Sequence, residues 1–388
     1  MPYLSKWPLA LVICLVGCEQ SSTQVVLNIN READSMPDVP ELDMFIWNKL
    51  DEAHAPGLAA AIVKDGKVAW AGGYGWANLH RRTPVTPDTV FMLASVSKTI
   101  TATALMQVWE EGVFELDDDV NDVLDFSVEN PDHPGPITYR QLLTHTSSIR
   151  DNWAILVDSY VEGDSEIELG DYLADYLDPS GENYNARFNW VNHPPETVLR
   201  YSNEGSALAG YLVEALTGTP FDLHCEDHIF APLEMTETSW HLEGLDVSNV
   251  ATPYRGEAGN YRPMEHYGYP DYPNGQLRTS AVQLGRFLAA YMENGVYDGQ
   301  RILDGATVEE MFEIQYPSIS DTQGLMWYYD DWGDMVTVGH NGSDSGVSTD
   351  MYYRPADGVG IIVLANGQLR ANPMWDIERA LFAAAAEL

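Results

Sequence analysis

The sequence predicts a mixed α/β fold of the α+β type: an antiparallel sheet flanked by helices, formed from both termini, with a mostly helical lobe inserted. Two observations support this prediction. A β-hairpin signal adjoins a helical pattern near each end of the chain. Between the two hairpins, the sequence reads mainly as helices. Because an isolated hairpin is only marginally stable, we expect the two hairpins to pair in one sheet.

A helix and a hairpin form the predicted N-terminal part of the fold. In ELDMFIWNKLDEAHAP, residues 41–56, apolar side chains recur at helical spacing. In GLAAAIVKDGKVAWAGGYGWAN, residues 57–78, two β-rich runs flank Asp65 and Gly66, a typical hairpin turn. At the other end, STDMYYRPADGVGIIVLAN predicts a second hairpin that turns near Asp357, and MWDIERALFAAAAEL predicts a closing helix.

The middle of the chain is predicted to be largely helical. TITATALMQVWEEG, TYRQLLTHTSS, EGSALAGYLVEALTG and TSAVQLGRFLAAYMENG have helical patterns, and the last two close on Gly218 and Gly295 as C-terminal stop signals. We therefore predict one catalytic domain over residues 41–388. Its α/β lobe comprises residues 41–125 and 300–388, and its mostly helical lobe comprises residues 126–299.

The N-terminus has the features of a secretory signal. MPYLSKWPLALVICLVGC contains a charged Lys6, a short apolar run, and a Leu-Val-Gly-Cys ending that resembles the bacterial lipoprotein cleavage box. We predict a lipoprotein signal peptide over residues 1–18, lipidation of Cys18, and a flexible tether over residues 19–40. The protein would then lie in the bacterial cell envelope, anchored only by its N-terminal lipid and facing the periplasm or the exterior. The alternative is an ordinary cleaved signal.

The composition excludes some classes of partner. The chain has 59 Asp and Glu against 20 Lys and Arg, a formal net charge of −39, so binding to nucleic acid is not expected. Of three cysteines, Cys14 lies within the signal and Cys18 would carry the lipid. Cys225 would therefore have no disulfide partner in the mature chain. The sequence predicts no particular oligomeric state.

The stretch LASVSKTITA, residues 93–102, carries the first candidate for chemistry. Ser95 and Lys98 are three residues apart where an apolar run gives way to a helix, so their side chains can meet on one face. A lysine amine can act as a base when burial or neighbouring charge lowers its pKa. The pair can therefore supply a serine nucleophile with its own base. The Ser95 backbone N–H, at the helix start, can face a developing oxyanion.

Two further motifs join this pair. RYSNEG supplies Tyr201 and Asn203, and GHNGSDSG supplies His340, Gly342 and Ser343. With Ser95-x-x-Lys98 they resemble the Ser-x-x-Lys, Tyr-x-Asn and Lys/His-x-Gly motifs of the serine β-lactamase and penicillin-binding protein superfamily. The resemblance runs from residue 56 to residue 367. It is strongest to the branch of class C β-lactamases, D-aminopeptidases and family VIII esterases.

This resemblance implies a role for each residue. Ser95 is the implied nucleophile, Lys98 its base, and Tyr201 a second proton carrier towards the leaving group. Asn203 would hold Lys98 and the substrate by hydrogen bonds, and the backbone N–H of Ser343 would be the second oxyanion donor. In LLTHTSS, we interpret His145 and Ser147 as structural turn residues, whereas Ser148 stands where relatives usually carry Gly. No cofactor and no metal ion is implied, because the chain supplies every group.

The predicted substrate is a small ester, amide or peptide. The first residue of the third motif indicates whether that substrate carries a carboxylate. Lactamases and wall peptidases usually begin this motif with Lys, whose cation attracts a substrate carboxylate, whereas this chain has the mostly neutral His340. We therefore predict a carboxylesterase-like or D-amide hydrolase with weak or no β-lactamase activity. One alternative is a D-Ala or D-amino acid peptidase, or a β-lactamase, acting on cell-wall peptides or β-lactams. The other is an inactive envelope lipoprotein that binds wall fragments.

Overall fold

The computed structural model describes residues 29–30, 37, 39–53, 55–256, 260–369 and 371–388. The α-helices in these ranges are α1 (Pro40–Ala53), α2 (Ser97–Glu110), α3 (Tyr139–Leu143), α4 (Trp153–Asp158), α5 (Leu169–Leu177), α6 (Asn203–Thr217), α7 (Phe221–Cys225), α8 (Ala281–Met292), α9 (Gly305–Phe312) and α10 (Ala371–Ala384). A short 3₁₀ helix, Ala94–Val96, precedes α2, and a π-helix, Glu226–Phe230, follows α7.

The strands build one large sheet and several two-stranded ribbons. Their bounds are β1 (Ile29–Asn30), β2 (Gly57–Lys64), β3 (Lys67–Asn78), β4 (Thr83–Pro84), β5 (Phe91–Met92), β6 (Val161–Glu162), β7 (Tyr254–Arg255), β8 (Arg262–Pro263), β9 (Tyr267–Gly268), β10 (Arg278–Thr279), β11 (Val296–Tyr297), β12 (Gln300–Arg301), β13 (Tyr328–Asp331), β14 (Val336–Asp344), β15 (Val347–Arg354) and β16 (Val359–Ala365). The large sheet is antiparallel, in the order β1-β3-β2-β16-β15-β14-β13, and β4 pairs with β3.

The sheet joins the two ends of the chain, as predicted. The β2–β3 hairpin turns at Asp65 and Gly66. Their φ angles of 53° and 71° suit a two-residue turn that matches the right-handed twist of the flanking strands. The second hairpin, β15–β16, pairs with the first because β16 lies beside β2, with Ala365 opposite Leu58. The predicted fold class is therefore confirmed.

Helices cover both faces of the sheet. Alternate residues of β16 point to opposite sides: Ile361 packs in the cluster formed with α1 and α10, whereas Ile362 packs in the cluster that includes α8. Helix α2 packs mainly on α6, which belongs to the predicted helical lobe. The turn between β5 and α2, which carries Ser95, is thus held where the sheet meets helix α6. The lobe boundaries remain a prediction. Helix α8 belongs to the predicted helical lobe but packs on the sheet, and α2 belongs to the predicted α/β lobe but packs mainly on a helix.

Two helix ends show how the predicted stop signals operate. Helix α6 ends at Thr217, and Gly218 takes the left-handed conformation with φ 70°. Helix α8 ends at Met292, three residues before the predicted stop. There Asn294 adopts the left-handed conformation (φ 54°), and the Gly295 N–H closes the turn on the carbonyl of residue 290 at 2.7 Å. The side-chain amide of asparagine makes it tolerant of this conformation.

Two residues of the predicted tether form a strand in the described part of the chain. Ile29 and Asn30 form β1 and pair with Tyr74 and Gly73 of β3, because the edge of β3 offers unpaired backbone groups. The predicted signal peptide, including Cys18, lies outside the described residues. Within the part of the chain that the structure describes, no helix is long and apolar enough to cross a membrane. Cys225 is buried and has no disulfide partner among the described residues.

A pair of buried carboxyl groups connects α10 to the sheet. Asp350 of β15 is 7% exposed and Glu378 of α10 is 1% exposed. Burial raises the pKa of both, the charge of Glu378 raises the pKa of Asp350 further, and the two side chains hydrogen-bond to each other. Such a bond requires one proton between them, so the folded chain holds a proton that the unfolded chain releases at neutral pH.

Stability is therefore expected to fall as pH rises through the raised pKa of this pair. One retained proton gives a slope of about 1.4 kcal/mol per pH unit in the free energy of unfolding. Glu378→Gln is expected to flatten this slope, because the amide donates to Asp350 without a titrating proton. Urea unfolding from pH 5 to 9, with exposed Glu387→Gln as control, measures it. Equal slopes in wild type and Glu378→Gln would contradict the shared proton.

Candidate active site

Ser95 lies in a strained turn at the entrance to α2. The turn is the 3₁₀ helix Ala94–Val96, placed directly after β5. Ala94, which is 2% exposed, has a φ of 48°, in the left-handed region that alanine rarely adopts. Such strain persists only where surrounding structure enforces it, and it is common at functional sites. The turn keeps the Ser95 side chain partly exposed at the end of a buried segment.

Lys98 is fully buried and held by three oxygen atoms. Its Nζ lies 3.2 Å from Ser95 Oγ, 2.8 Å from Asn203 Oδ1 and 2.6 Å from the Asn274 carbonyl oxygen. A neutral amine has two hydrogens and one lone pair. If the hydrogens go to Asn203 and Asn274, the lone pair faces the Ser95 hydroxyl. This arrangement is the one that a base needs to remove the proton from a serine.

The electrostatic surroundings bring Lys98 into the range where it can act as a base. Burial lowers its pKa to about 7, and the charges of Asp151, Asp271 and Asp344 oppose this shift. Because the ordinary value lies near 10.4, a large fraction of the amine is neutral at physiological pH. The lysine therefore combines a usable lone pair with the position to use it.

Asp151 orients Asn203, and sequence reasoning missed it. This buried carboxylate accepts from the Asn203 backbone N–H at 2.8 Å, from Asn203 Nδ2 at 2.9 Å and from Ser202 Oγ at 3.2 Å. With Nδ2 committed to Asp151, Asn203 Oδ1 must face Lys98. Asp151 also lies at the N-terminus of α6, where helix geometry favours a negative charge.

Tyr201 lies above the lysine. Its ring centroid is 4.9 Å from Lys98 Nζ and 4.5 Å from the centroid of the His145 ring, and the two rings are tilted by 38°. The residue is 38% exposed, but its hydroxyl interacts with Ser95 inside the cleft. Burial raises the pKa of Tyr201, and the interaction with Ser95 opposes that shift. Tyr201 is thus a neutral phenol at pH 7, suited to pass a proton rather than to remove the first one.

Strand β14 forms the opposite wall of the site. Gly342 packs against the Ser95 turn: a Cβ there would overlap the Leu93 carbonyl oxygen and Thr349 Oγ1, and would lie 3.1 Å from Ser95 N. Only glycine allows this approach. Ser343, the next residue, is exposed on the strand opposite Ser348. The close approach brings the backbone of residues 342–343 beside the Ser95 N–H, as an oxyanion hole requires.

His340 is neutral in this site. It is 3% exposed, and burial, reinforced by the charge of Lys98, lowers its pKa to about 3. Its Nδ1 lies 2.6 Å from the Asn341 carbonyl oxygen, so Nδ1 carries the proton and Nε2 is an acceptor. The third motif therefore presents no cation to a substrate.

The site residues surround a cleft of about 300 Å³. Its lining residues are Ser95, His145, Tyr201, Gln323, Tyr328, His340, Asn341 and Ser343. The structure thus brings Ser95, Lys98, Tyr201, Asn203, His340, Gly342 and Ser343 together from separate segments. Among the described residues, no group of three or more His, Cys, Asp or Glu side chains is placed to hold a metal ion.

The turn after α3 contributes His145 to the lining of the cleft. His145 and Ser148 have left-handed backbones, with φ angles of 57° and 66°. Ser148 Oγ accepts a hydrogen bond from Asn130 Nδ2 at 2.8 Å. Glycine adopts the left-handed conformation freely, and here the bond to Asn130 helps to hold a serine in it.

The chain is similar to known proteins over most of its length. Residues 42–385 match the Beta-lactamase family. The chain belongs to this family. Penicillin-binding protein 4 of Amycolatopsis lactamdurans is 31% identical over 349 residues, 85% of this chain and 86% of that protein. Protein flp of Staphylococcus aureus (strain MRSA252) is 25% identical over 345 residues, and the match covers 84% of this chain but only 62% of that protein.

Solved structures of the family share the fold. The octameric penicillin-binding protein homologue from Pyrococcus abyssi has a TM-score of 0.68 and 25% identity, covering 90% of this chain and 77% of that chain. D-amino acid amidase from Ochrobactrum anthropi SV3 has a TM-score of 0.66 and 22% identity, covering 89% of this chain and 99% of that chain. The predicted resemblance to the β-lactamase and penicillin-binding protein superfamily, a family of serine hydrolases, is confirmed.

Proposed function

We propose that this protein hydrolyses esters or uncharged amides through a covalent acyl-enzyme on Ser95. The observation that supports this most directly is the buried Lys98 amine, 3.2 Å from Ser95 Oγ with a pKa of about 7. Ser95 Oγ attacks the carbonyl carbon as its proton passes to Lys98. The leaving group departs with a proton relayed through Tyr201. Water then attacks the acyl carbon, and Ser95 Oγ leaves with a proton.

The neutral third motif favours substrates without a carboxylate. His340 Nε2 is an acceptor, and Asp344, at the end of the same strand, adds a negative group near Lys98. The formal net charge of −39 also disfavours the approach of anions. A carboxylate on a β-lactam or a D-Ala peptide would meet no cation from this strand. We therefore propose a carboxylesterase-like enzyme with weak or no β-lactamase activity.

A second candidate is a D-peptidase or β-lactamase acting on cell-wall material. The observation in its favour is the 31% identity to a protein named for binding penicillin. The N-terminal sequence supports a position in the cell envelope, lipidated at Cys18, where wall peptides would be within reach. Metabolic labelling with a radioactive fatty acid, compared between wild type and Cys18→Ser, tests the anchor.

Parallel assays on one preparation separate the candidates. The purified chain is mixed with p-nitrophenyl acetate, p-nitrophenyl butyrate or nitrocefin, and Ser95→Ala is the control. We expect ester turnover that Ser95→Ala lacks, with nitrocefin much slower. Nitrocefin hydrolysed as fast as the better ester would favour the β-lactamase. Failure of a fluorophosphonate and of a fluorescent penicillin to label Ser95 would favour a binding lipoprotein.

A change at His340 tests the basis of this specificity. His340→Lys is expected to increase the rate of labelling by a fluorescent penicillin about tenfold, because a charge-assisted hydrogen bond would now meet its carboxylate. His340→Gln, which is neutral, is expected to give no increase. Labelling rates are measured by gel fluorescence against turnover of p-nitrophenyl butyrate. An equal effect of both substitutions would show that charge at this position does not control the substrate.

A further inference from the structure

His145 has a polar atom for which the protein provides no partner. The residue is 2% exposed and lines the cleft together with Ser95 and Tyr201. Its Nε2 is buried and, among the residues that the structure describes, has no hydrogen-bond partner. Buried polar atoms in native proteins are nearly always hydrogen-bonded, so an atom of this kind beside a reactive serine indicates a partner that arrives with the substrate.

The hydrogen bond on the other side of the ring decides which nitrogen carries the proton. The Ser202 backbone N–H donates to His145 Nδ1 at 3.3 Å, so Nδ1 is an acceptor. Burial, with the charge of Lys98, holds the pKa of His145 well below its ordinary value. The ring is therefore neutral, and its single proton is on Nε2. His145, which lines the cleft, therefore carries an uncharged N–H donor with no partner among the described residues.

Two contacts fix the orientation of this donor. The Tyr201 ring packs against the imidazole, with the two rings tilted by 38° and their centroids 4.5 Å apart. The His145 carbonyl oxygen accepts from the Arg200 N–H at 2.7 Å, which ties the left-handed turn to the segment carrying Tyr201. Because the donor is held in place before a substrate binds, it loses little freedom when it forms a hydrogen bond.

We propose that His145 Nε2–H donates a hydrogen bond to an oxygen atom of the bound acyl donor, next to the bond that Ser95 cleaves. This inference rests on the proposed function and extends it. The substrate carries an acceptor oxygen besides the carbonyl oxygen that faces the Ser95 and Ser343 N–H groups. The alkoxy oxygen of an ester is such an atom. His145 is then a catalytic residue in addition to the structural role of its Nδ1.

A pair of substitutions separates the two nitrogens. His145→Asn keeps an oxygen near the position of Nδ1, tolerates the left-handed backbone, and has no atom in place of Nε2. His145→Gln places an amide nitrogen near the position of Nε2 but lacks the Nδ1 acceptor. His228→Asn, at an exposed histidine of the π-helix, is the matched control. Wild type and Ser95→Ala are assayed beside them to test the proposed function independently.

We expect His145→Asn to melt within a few degrees of wild type while kcat/KM for p-nitrophenyl butyrate falls about tenfold. His145→Gln is expected to be less stable than His145→Asn but to retain a larger share of the wild-type kcat/KM. This kcat/KM is expressed per active site, and the active sites are counted by fluorophosphonate titration. A folded His145→Asn with wild-type kcat/KM, or a His145→Gln no better than His145→Asn, would overturn the proposal. If the wild-type protein itself shows no ester turnover, the proposed function is refuted instead.

If His145→Asn does not fold, the wild-type protein provides the test. The Nε2–H proton of His145 is observed by NMR before and after fluorophosphonate reacts with Ser95. Because the adduct carries oxygen atoms beside the serine, we expect this resonance to shift and its exchange with water to slow. An unchanged resonance in the labelled protein would overturn the proposal.

Discussion

Ser95→Ala is expected to reduce ester turnover by about 10⁴-fold or more, because no acyl-enzyme can form without the Ser95 hydroxyl. The protein should remain folded, since the Ser95 side chain is partly exposed and its loss leaves no large cavity. The measurement is kcat for p-nitrophenyl butyrate at saturating substrate. Mass spectrometry of the fluorophosphonate reaction should show one adduct on wild type and none on the variant.

Ser97→Ala is the matched control for this substitution. Ser97 lies in the same motif, but its Oγ accepts a hydrogen bond from the Leu277 N–H at 3.2 Å, whereas Lys98 Nζ contacts Ser95 Oγ. We expect this variant to lose about 1 kcal/mol of stability and to keep its turnover per folded molecule. The reverse result, an active Ser95→Ala and an inactive Ser97→Ala, would show that the nucleophile is Ser97 and that its assignment to Ser95 is wrong.

Activity is expected to rise with pH and to reach half of its plateau near pH 7, the pKa of Lys98. Below that pH the amine is protonated and has no lone pair for the Ser95 proton, so the acid limb of kcat/KM reports the lysine of the free enzyme. Lys98→Met is expected to lower kcat about 10³-fold and to remove this limb. Rates measured from pH 5 to 9 give the profile.

The buried carboxyl groups near Lys98 allow the assignment of this limb to be checked. The charges of Asp151, Asp271 and Asp344 all raise the pKa of the lysine. Asp271→Asn and Asp344→Asn are therefore both expected to move the limb to lower pH. A substitution that merely disturbed the structure would lower the plateau and leave the midpoint in place. A midpoint that stayed at pH 7 in both variants would show that another group controls the limb.

The parts of the fold that could be predicted are those encoded locally. The Asp65-Gly66 turn and the alternating runs around it specify a hairpin within about twenty residues of sequence. The Ser95–Lys98 contact follows from helical spacing, since three residues bring two side chains to one face. Asn203 and Gly342 were found because each belongs to a short motif with a recognisable order of residues.

The parts that could not be predicted depend on long-range contacts or on the backbone. Asp151 acts on Asn203 from 52 positions away, and no local pattern distinguishes it from the many other acidic residues. The Asn274 carbonyl that holds Lys98 is a backbone atom, and every residue has one. The strain at Ala94 arises from the surrounding fold, because alanine itself gives no signal for a left-handed conformation.

The position of β16 has a consequence for the synthesis of the protein. This strand comes last among the described strands, yet it lies in the centre of the sheet between β2 and β15. A nascent chain that has already produced every catalytic residue still lacks the strand that joins its two halves, and the edge of β2 stays open to other chains. Ser95 and His340 are then expected to meet only after β16 has been synthesised. A chain cut before Val359 is accordingly expected to aggregate and to be inactive, although it retains the whole set of motifs.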